Sequence, residues 1–339
     1  MLVKGLNFLE RVMELRMYLF AVICFVLLLM SGCGAEARMT TSACGSGAVA
    51  TMAPNTLTGM TTDRKNFSAA KTGLLSPNRI LNIAHRGASG YAPEHTLASY
   101  QKAKELDGDY LEIDLQMTKD CTLVAMHDED VSRTTNSDGK VSDLSLDAIE
   151  ALDAGTWFND EYPYQAESAF SQLTVPTLEE VIDTFGSEVN YYIETKTPSE
   201  EPAMVDTLLR ILQKHHLVGE DVPSGKVIIQ SFSKNSLLEV HQKEPSIPLI
   251  QLIHFRKKAM LTDPEVDEIK SYAVGIGANY ESLSKEFVGE LRNDGLLIHP
   301  YTVNEPADMK RLIDWGVTGI FTNYPDRLHD VVDGMEGGG

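Results

Sequence analysis

The chain has 339 residues, of which 43% are hydrophobic and 23% charged, and a formal net charge of −20. That length holds one large domain or two ordinary ones. So acidic a chain repels nucleic-acid backbones, which argues against a polymeric nucleic-acid ligand; a phosphodiester handled here is small and needs a local positive site.

Lys4, Arg11 and Arg16 precede an uncharged apolar run, Met17–Met30. The run is short for a membrane span and suits a signal-peptide core. It ends in Met30-Ser31-Gly32-Cys33, which is similar to a bacterial lipobox. That similarity predicts residues 1–33 as a signal segment with Cys33 lipidated, and an exported protein anchored to the bacterial cell membrane. An uncleaved membrane anchor is the other reading of the run. Residues 34–77 are rich in Ala, Thr, Ser, Gly and Met and are expected to form a flexible tether. Cys44 and Cys121 are the cysteines left over; a single bridge between them is no disulfide framework. No Cys/His cluster points to zinc.

From Ile80 onward, short β-branched runs alternate with helical runs, the pattern of parallel βα units. Strands are predicted at Ile80–His85, Tyr110–Gln116, Leu123–His127, Tyr191–Lys196, Val227–Phe232, Pro248–Ile253, Ala273–Ala278, Leu297–Val303 and Thr318–Asn323. Helices are predicted at Thr96–Leu106, Leu178–Phe185, Glu201–His215, Ser233–Gln242, Ser284–Asn293 and Ala307–Trp315. Only Met117–Thr122 separate the second strand from the third, too few for a crossover helix, so these two form an antiparallel hairpin. Setting the third strand aside leaves a (β/α)8 TIM barrel over residues 78–330, with an extra hairpin strand. Residues 128–175, including a short helix at Ser145–Leu152, are expected as an insertion over the barrel mouth. Residues 331–339 are expected to be a disordered tail.

Catalysis in such a barrel sits at the C-terminal ends of the strands. His85-Arg86-Gly87 ends the first strand and suits an acid/base group beside a phosphate clamp; a structural histidine with a surface arginine is equally compatible. Glu112 and Asp114 alternate on the second strand and share one face. Two buried carboxylates so close need a positive partner, and a divalent cation is the simplest. Oxygen ligands favour Mg2+ or Ca2+. With a hairpin turn centred on Asp120 and Cys121, Asp114 would lie opposite His127, Glu112 opposite Glu129 and Gln116 opposite Ala125, while Val124 and Met126 join the apolar side. Glu194 and Lys196 alternate on the fourth strand, either as metal ligand and phosphate contact or as a plain ion pair.

Taken together, His85-Arg86-Gly87 with Pro93-Glu94, the Glu112/Asp114 pair, His127-Asp128, Glu194-Thr195-Lys196, Gln230-Ser231-Phe232 and Thr302-Val303-Asn304 resemble the glycerophosphodiester phosphodiesterase family in order and spacing. The resemblance covers roughly Ile80 to Leu328. It implies a barrel, a divalent cation, and release of glycerol 3-phosphate and an alcohol from a small glycerophosphodiester. Carried over by position, it implies His85 and His127 as the acid/base pair and Glu112, Asp114 and Glu194 as metal ligands. Arg86, Lys196 and Glu94 fall at its phosphate-site positions, and Gln230 and Tyr301 at a candidate substrate pocket. Three positions depart from the family pattern: His95 stands for Asn, Tyr301 for Trp, and Cys121 for the Gly of the hairpin turn. Two rivals remain at this point, a phospholipase-D-like activity on lysophospholipids and a lipoprotein that binds glycerophosphodiesters without turnover. No protein partner can be inferred.

Overall fold

The computed structural model describes residues 73–336, and the expected signal segment, Cys33 and all but the last residues of the expected tether lie outside them. The strands are β1 Leu81–Ala84, β2 Tyr110–Met117, β3 Leu123–Ala125, β4 Tyr191–Thr195, β5 Val227–Ser231, β6 Leu249–Ile253, β7 Gly275–Asn279, β8 Leu297–Tyr301 and β9 Gly319–Thr322. Their order is β8-β7-β6-β5-β4-β2-β1-β9, with β3 attached antiparallel to the free stretch of β2. Hydrogen bonds from Thr318 N to Ile298 O and from Val303 N to Phe321 O stitch the seam between β8 and β9. Without β3 the sheet is therefore the predicted eight-stranded parallel barrel.

Alternation sorts every strand into two faces. Leu111, Ile113 and Leu115 of β2 and Tyr191 and Ile193 of β4 point outward into the large core beneath the helices. Leu81, Ile83, Tyr110, Tyr192, Ile228, Ile250 and Phe321 point inward and fill the barrel floor, capped by Leu75. Leu75 thus already belongs to the barrel, so the expected tether ends before residue 77. The inward face also sets what stands above the floor. Two residues beyond Ile83 comes His85; beyond Tyr110 come Glu112 and Asp114; beyond Tyr192 come Glu194 and Lys196; beyond Ile228 comes Gln230. An apolar floor and a charged mouth are one period-2 pattern read in sequence order.

Around the barrel, the helix Leu178–Phe185 begins with a Thr177/Glu180 capping box and buries Leu178, Val181, Ile182 and Phe185. The helix Asp263–Lys270, which the sequence reading omits, has a capping box at Thr262 and a proline in its first turn. The helix Pro325–Glu336 covers residues 331–336, expected to be disordered; Leu328 fixes it to the core, and Val331 and Val332 pack there too. Among the described residues, no helix is long and apolar enough to cross a membrane.

The hairpin differs from expectation by one residue. Leu115 pairs with Ala125, Gln116 with Val124 and Met117 with Leu123. The cause is the turn: Thr118 N bonds Thr122 O, Cys121 N bonds Thr118 O, both at 2.9 Å, and Cys121 takes φ +69°. This is a three-residue loop closed by a left-handed residue, where the two-residue turn of the sequence reading would shift the register by one. Glycine is the ordinary occupant of that conformation. Asp114 is therefore not opposite His127, and Glu129 lies outside, 3.5 Å from Lys140. Val124 and Met126 join not the apolar side but the mouth side, where Val131, Val141 and Ile149 of the insertion cover them. Cys121 is disulfide-bonded.

Candidate active site

Nearly all the charged residues singled out in the sequence converge at the mouth. A cavity of about 210 Å³ is lined by His85, Arg86, Glu112, Asp114, His127 and Glu194, with Lys196, Gln230, Tyr301, Thr302 and His254 and the apolar Phe232, Leu252 and Phe321 completing its wall. A second hollow of about 500 Å³ adjoins it, sharing His127 and Lys196 and running out past Asp128 and Arg133. Glu94 stands behind Arg86 rather than in the cavity wall.

The carboxylates are buried: Glu112 and Asp114 are each 1% exposed and Glu194 6%. Asp114 and Glu194 are register partners on β2 and β4. Glu112 accepts from Arg86 N at 2.7 Å and from Gln230 Nε2 at 3.4 Å. Lys196 Nζ lies 2.9 Å from Glu194 Oε1 and 3.8 Å from Asp114 Oδ1. Burial, then the Asp114 charge, pushes Glu112 well above the usual carboxylate range. The same two causes push Glu194 up to about 8. Asp114 goes the other way: burial raises it, but Lys196, His95 and Arg86 together hold it well below the usual range. Two of the three carboxylates thus resist ionisation unless further positive charge arrives. Asp114 Oδ1 is also buried without a hydrogen-bond partner, an uncommon state for so polar an atom. Both observations fit a divalent cation among oxygen donors. The ligand atoms of His95, Glu112 and Asp114 lie within 4.8 Å of one another, while Glu194 lies outside that group.

The two histidines have contrasting supports. His85 Nδ1 faces Asn323 Oδ1 at 2.8 Å, and Asn323 is itself fixed by its N–H donating to Asn304 Oδ1 at 2.9 Å. The Thr302-Val303-Asn304 motif therefore lines the cavity with Thr302, closes the barrel seam through Val303 and anchors Asn323 through Asn304. Burial, then Arg86, lowers His85 to about 3 against the Asn323 hydrogen bond. His127 faces a carboxylate instead: its Nδ1 is 2.6 Å from Asp128 Oδ1. Burial lowers its pKa, with Asp114 and Asp128 opposing and Arg86 and Lys196 assisting. Although the hairpin register does not put His127 on the Asp114 face, β3 ends at Ala125, and Gln116 Nε2 then binds the His127 carbonyl at 3.1 Å and draws the chain to the mouth.

Arg133, His95 and Asn323 were not singled out by the sequence reading as site groups. Arg133 grips Glu94 at 2.7 and 2.9 Å and pairs with Asp128, and Glu94 in turn holds Arg86 Nη1 at 2.9 Å. A chain of alternating charges thus runs from Asp114 through Arg86, Glu94, Arg133 and Asp128 to His127. These contacts hold Glu94 well below the usual carboxylate range despite its burial. The signal for Arg133 in the sequence is faint: a lone arginine five residues after Asp128, in the least regular segment.

The chain is similar to several known proteins. A sequence model of the Glycerophosphoryl diester phosphodiesterase family matches residues 85–327. A glycerophosphodiester phosphodiesterase of Bacillus subtilis (strain 168) is 55% identical over 267 residues, covering 79% of this chain and 91% of that protein. One from Caldanaerobacter subterraneus is 34% identical over 257 residues, covering 75% and 98%. Among solved structures, an Oleispira antarctica phosphodiesterase in complex with the product sn-glycerol-3-phosphate is similar with a TM-score of 0.64 and 26% identity, covering 74% of this chain and 96% of that one. With a family match over residues 85–327 and a relative more than half identical, the chain belongs to the glycerophosphoryl diester phosphodiesterase family.

Proposed function

We propose that this protein hydrolyses small glycerophosphodiesters to glycerol 3-phosphate and an alcohol, with His85 as general base and His127 as general acid. The observation that carries the assignment is the difference between their partners. Asn323 Oδ1 is a neutral acceptor, so His85 carries its proton on Nδ1 and presents a bare Nε2. Burial keeps that ring neutral, with the Nε2 lone pair free, at a cost in basicity. Asp128 is an anion, which favours a protonated His127 ring against the lowering that burial imposes, and His127 is about one-third exposed and can be reprotonated from solvent.

A divalent cation, Mg2+ or Ca2+, held by Glu112, Asp114 and Glu194 would supply Lewis-acid stabilisation of charge developing on a phosphate oxygen. Arg86, whose Nε is buried without a hydrogen-bond partner, and Lys196 bind the remaining phosphate oxygens. Tyr301 Oη and Gln230 Oε1 are likewise buried and unpartnered in the cavity wall, and suit the glycerol hydroxyls. His85 Nε2 takes the proton of the attacking hydroxyl as its oxygen bonds to phosphorus; attack by water gives glycerol 3-phosphate directly, and attack by the substrate's own glycerol hydroxyl gives a cyclic phosphate that a water then opens. The bond from phosphorus to the leaving oxygen breaks, and His127 Nε2 gives that oxygen its proton. The departing alcohol then lies past His127, in the larger hollow. The enzyme works outside the cytoplasm, tethered through Cys33; the Lys4–Cys33 pattern supports this part of the reading.

The test is a leaving-group comparison. His85→Ala and His127→Ala each lower kcat by roughly 100-fold on glycerophosphocholine, the usual scale for a lost acid or base. With p-nitrophenolate as leaving group, which needs no proton, His127→Ala recovers and His85→Ala does not. Equal rescue of both, or of neither, overturns the assignment. Lysophosphatidylcholine in place of glycerophosphocholine separates this activity from a phospholipase-D-like one.

A further inference from the structure

His95 occupies the position where the family usually carries Asn, and it lies closer to the carboxylates than any sequence argument predicts. It sits between β1 and the helix Leu97–Glu105 with φ +54°, a left-handed conformation that histidine adopts more readily than most residues. Its N–H donates to Arg86 O at 3.1 Å, locking that turn to the end of β1. The ring is 4% exposed, and both nitrogens are engaged: Nε2 lies 2.9 Å from Asp114 Oδ2, and Nδ1 lies 2.8 Å from Tyr100 Oη.

The proton order follows from the partners. The Asp114 carboxylate has no proton to give, so Nε2–H donates to Oδ2. Nδ1 then accepts from the Tyr100 hydroxyl, whose fully buried phenol keeps its proton. Asp114 Oδ2 is thus held by His95, with Arg86 Nε 3.5 Å away, while Oδ1 is buried with no hydrogen bond and lies 3.8 Å from Lys196 Nζ.

We propose that His95 is a positioning residue for the metal centre: through the relay Tyr100–His95–Asp114 it fixes Oδ2 so that Oδ1 alone is presented to the cation, and it does not itself ligate. The inference rests on the reading of Asp114 as a metal ligand. Ligating carboxylates need a hydrogen-bonded outer shell, and losing such a partner typically costs about 10- to 100-fold in metal affinity. A direct Nε2–metal bond would break the 2.9 Å contact to Asp114 and strand a buried carboxylate oxygen. The relay therefore predicts an oxygen-only coordination sphere, of the kind Mg2+ and Ca2+ prefer over softer ions.

The experiment titrates Ca2+, Mg2+ and Co2+ into chelator-treated full-length protein by calorimetry, with the visible spectrum recorded for Co2+. His95→Leu is expected to weaken Ca2+ binding by about 10- to 100-fold. His95→Gln, whose amide N–H reaches the Nε2 position, restores most of it and leaves the Co2+ spectrum unchanged. Tyr100→Phe weakens binding several-fold with the fold intact, and keeps the test open if His95→Leu does not fold. Unaltered Ca2+ binding in both His95→Leu and Tyr100→Phe would overturn the relay. So would a Co2+ spectrum that loses a nitrogen ligand in His95→Gln. Turnover by a wild type that binds no cation would instead overturn the metal reading beneath it.

Discussion

Asp128→Asn isolates one charge at the edge of the site. The amide is isosteric, and its Oδ1 can still accept from His127 Nδ1, while its Nδ2 leaves Arg133 Nε without an acceptor there; Arg133 stays held by Glu94. The pair is short, at 2.6 Å, with the two side chains 33% and 31% exposed. Charge centres about 4 Å apart interact by ~4 kcal/mol at an effective dielectric near 20. Partial exposure, and the share of Asp128 already committed to Arg133, reduce that to ~1–2 kcal/mol. That support is what His127 loses, so its pKa falls further below the ordinary value. The sign is definite: Asp128 favours the protonated ring, so its removal lowers the His127 pKa, and the acid form is lost at lower pH. The basic limb of the kcat profile on glycerophosphocholine should move to lower pH, with a loss of roughly 10-fold above it. The p-nitrophenyl diester should show almost none of that loss. A basic limb that stays in place, or an equal loss on both substrates, would refute the link between Asp128 and leaving-group protonation.

Gly87→Ala should destabilise the fold by about 2–5 kcal/mol, from left-handed strain plus overpacking. Gly87 has φ +81°, and an added Cβ would lie 2.5 Å from Ser99 Oγ and 2.6 Å from Ser99 C. Chemical denaturation measures this, and a loss below about 1 kcal/mol would contradict it. Cys33→Ser should move the protein from membrane to soluble fractions or leave it unprocessed; a cleaved mutant retained normally on membranes would rule out Cys33 as the anchor.

Much of the barrel and most of the site were legible because one physical rule wrote both. Inward alternation on β1, β2, β4 and β5 puts apolar residues at the floor and His85, Glu112, Asp114, Glu194 and Gln230 two or four residues later at the mouth. What escaped depended on conformation that residue type alone does not specify. The hairpin register turned on Cys121 adopting a left-handed φ, which a cysteine does not advertise. His95 escaped for a similar reason: it reads as a family departure, and only its left-handed backbone aims the ring at Asp114. Arg133 and Asn323 act through partners in other segments, Glu94 across 39 residues and His85 across 238, so no local pattern marks them. The helix Asp263–Lys270 was legible in principle, since Thr262-Asp263-Pro264-Glu265 is a capping box with proline in the first turn.

The most direct measurement is the product balance from glycerophosphocholine with the purified protein in Ca2+ or Mg2+, followed by phosphorus NMR and a choline assay. The account predicts glycerol 3-phosphate and choline in equal amounts, with turnover abolished in Glu112→Ala, Asp114→Ala and Glu194→Ala and by chelation of the wild type. Release of phosphocholine and glycerol, or full turnover in the three carboxylate variants after chelation, would contradict it.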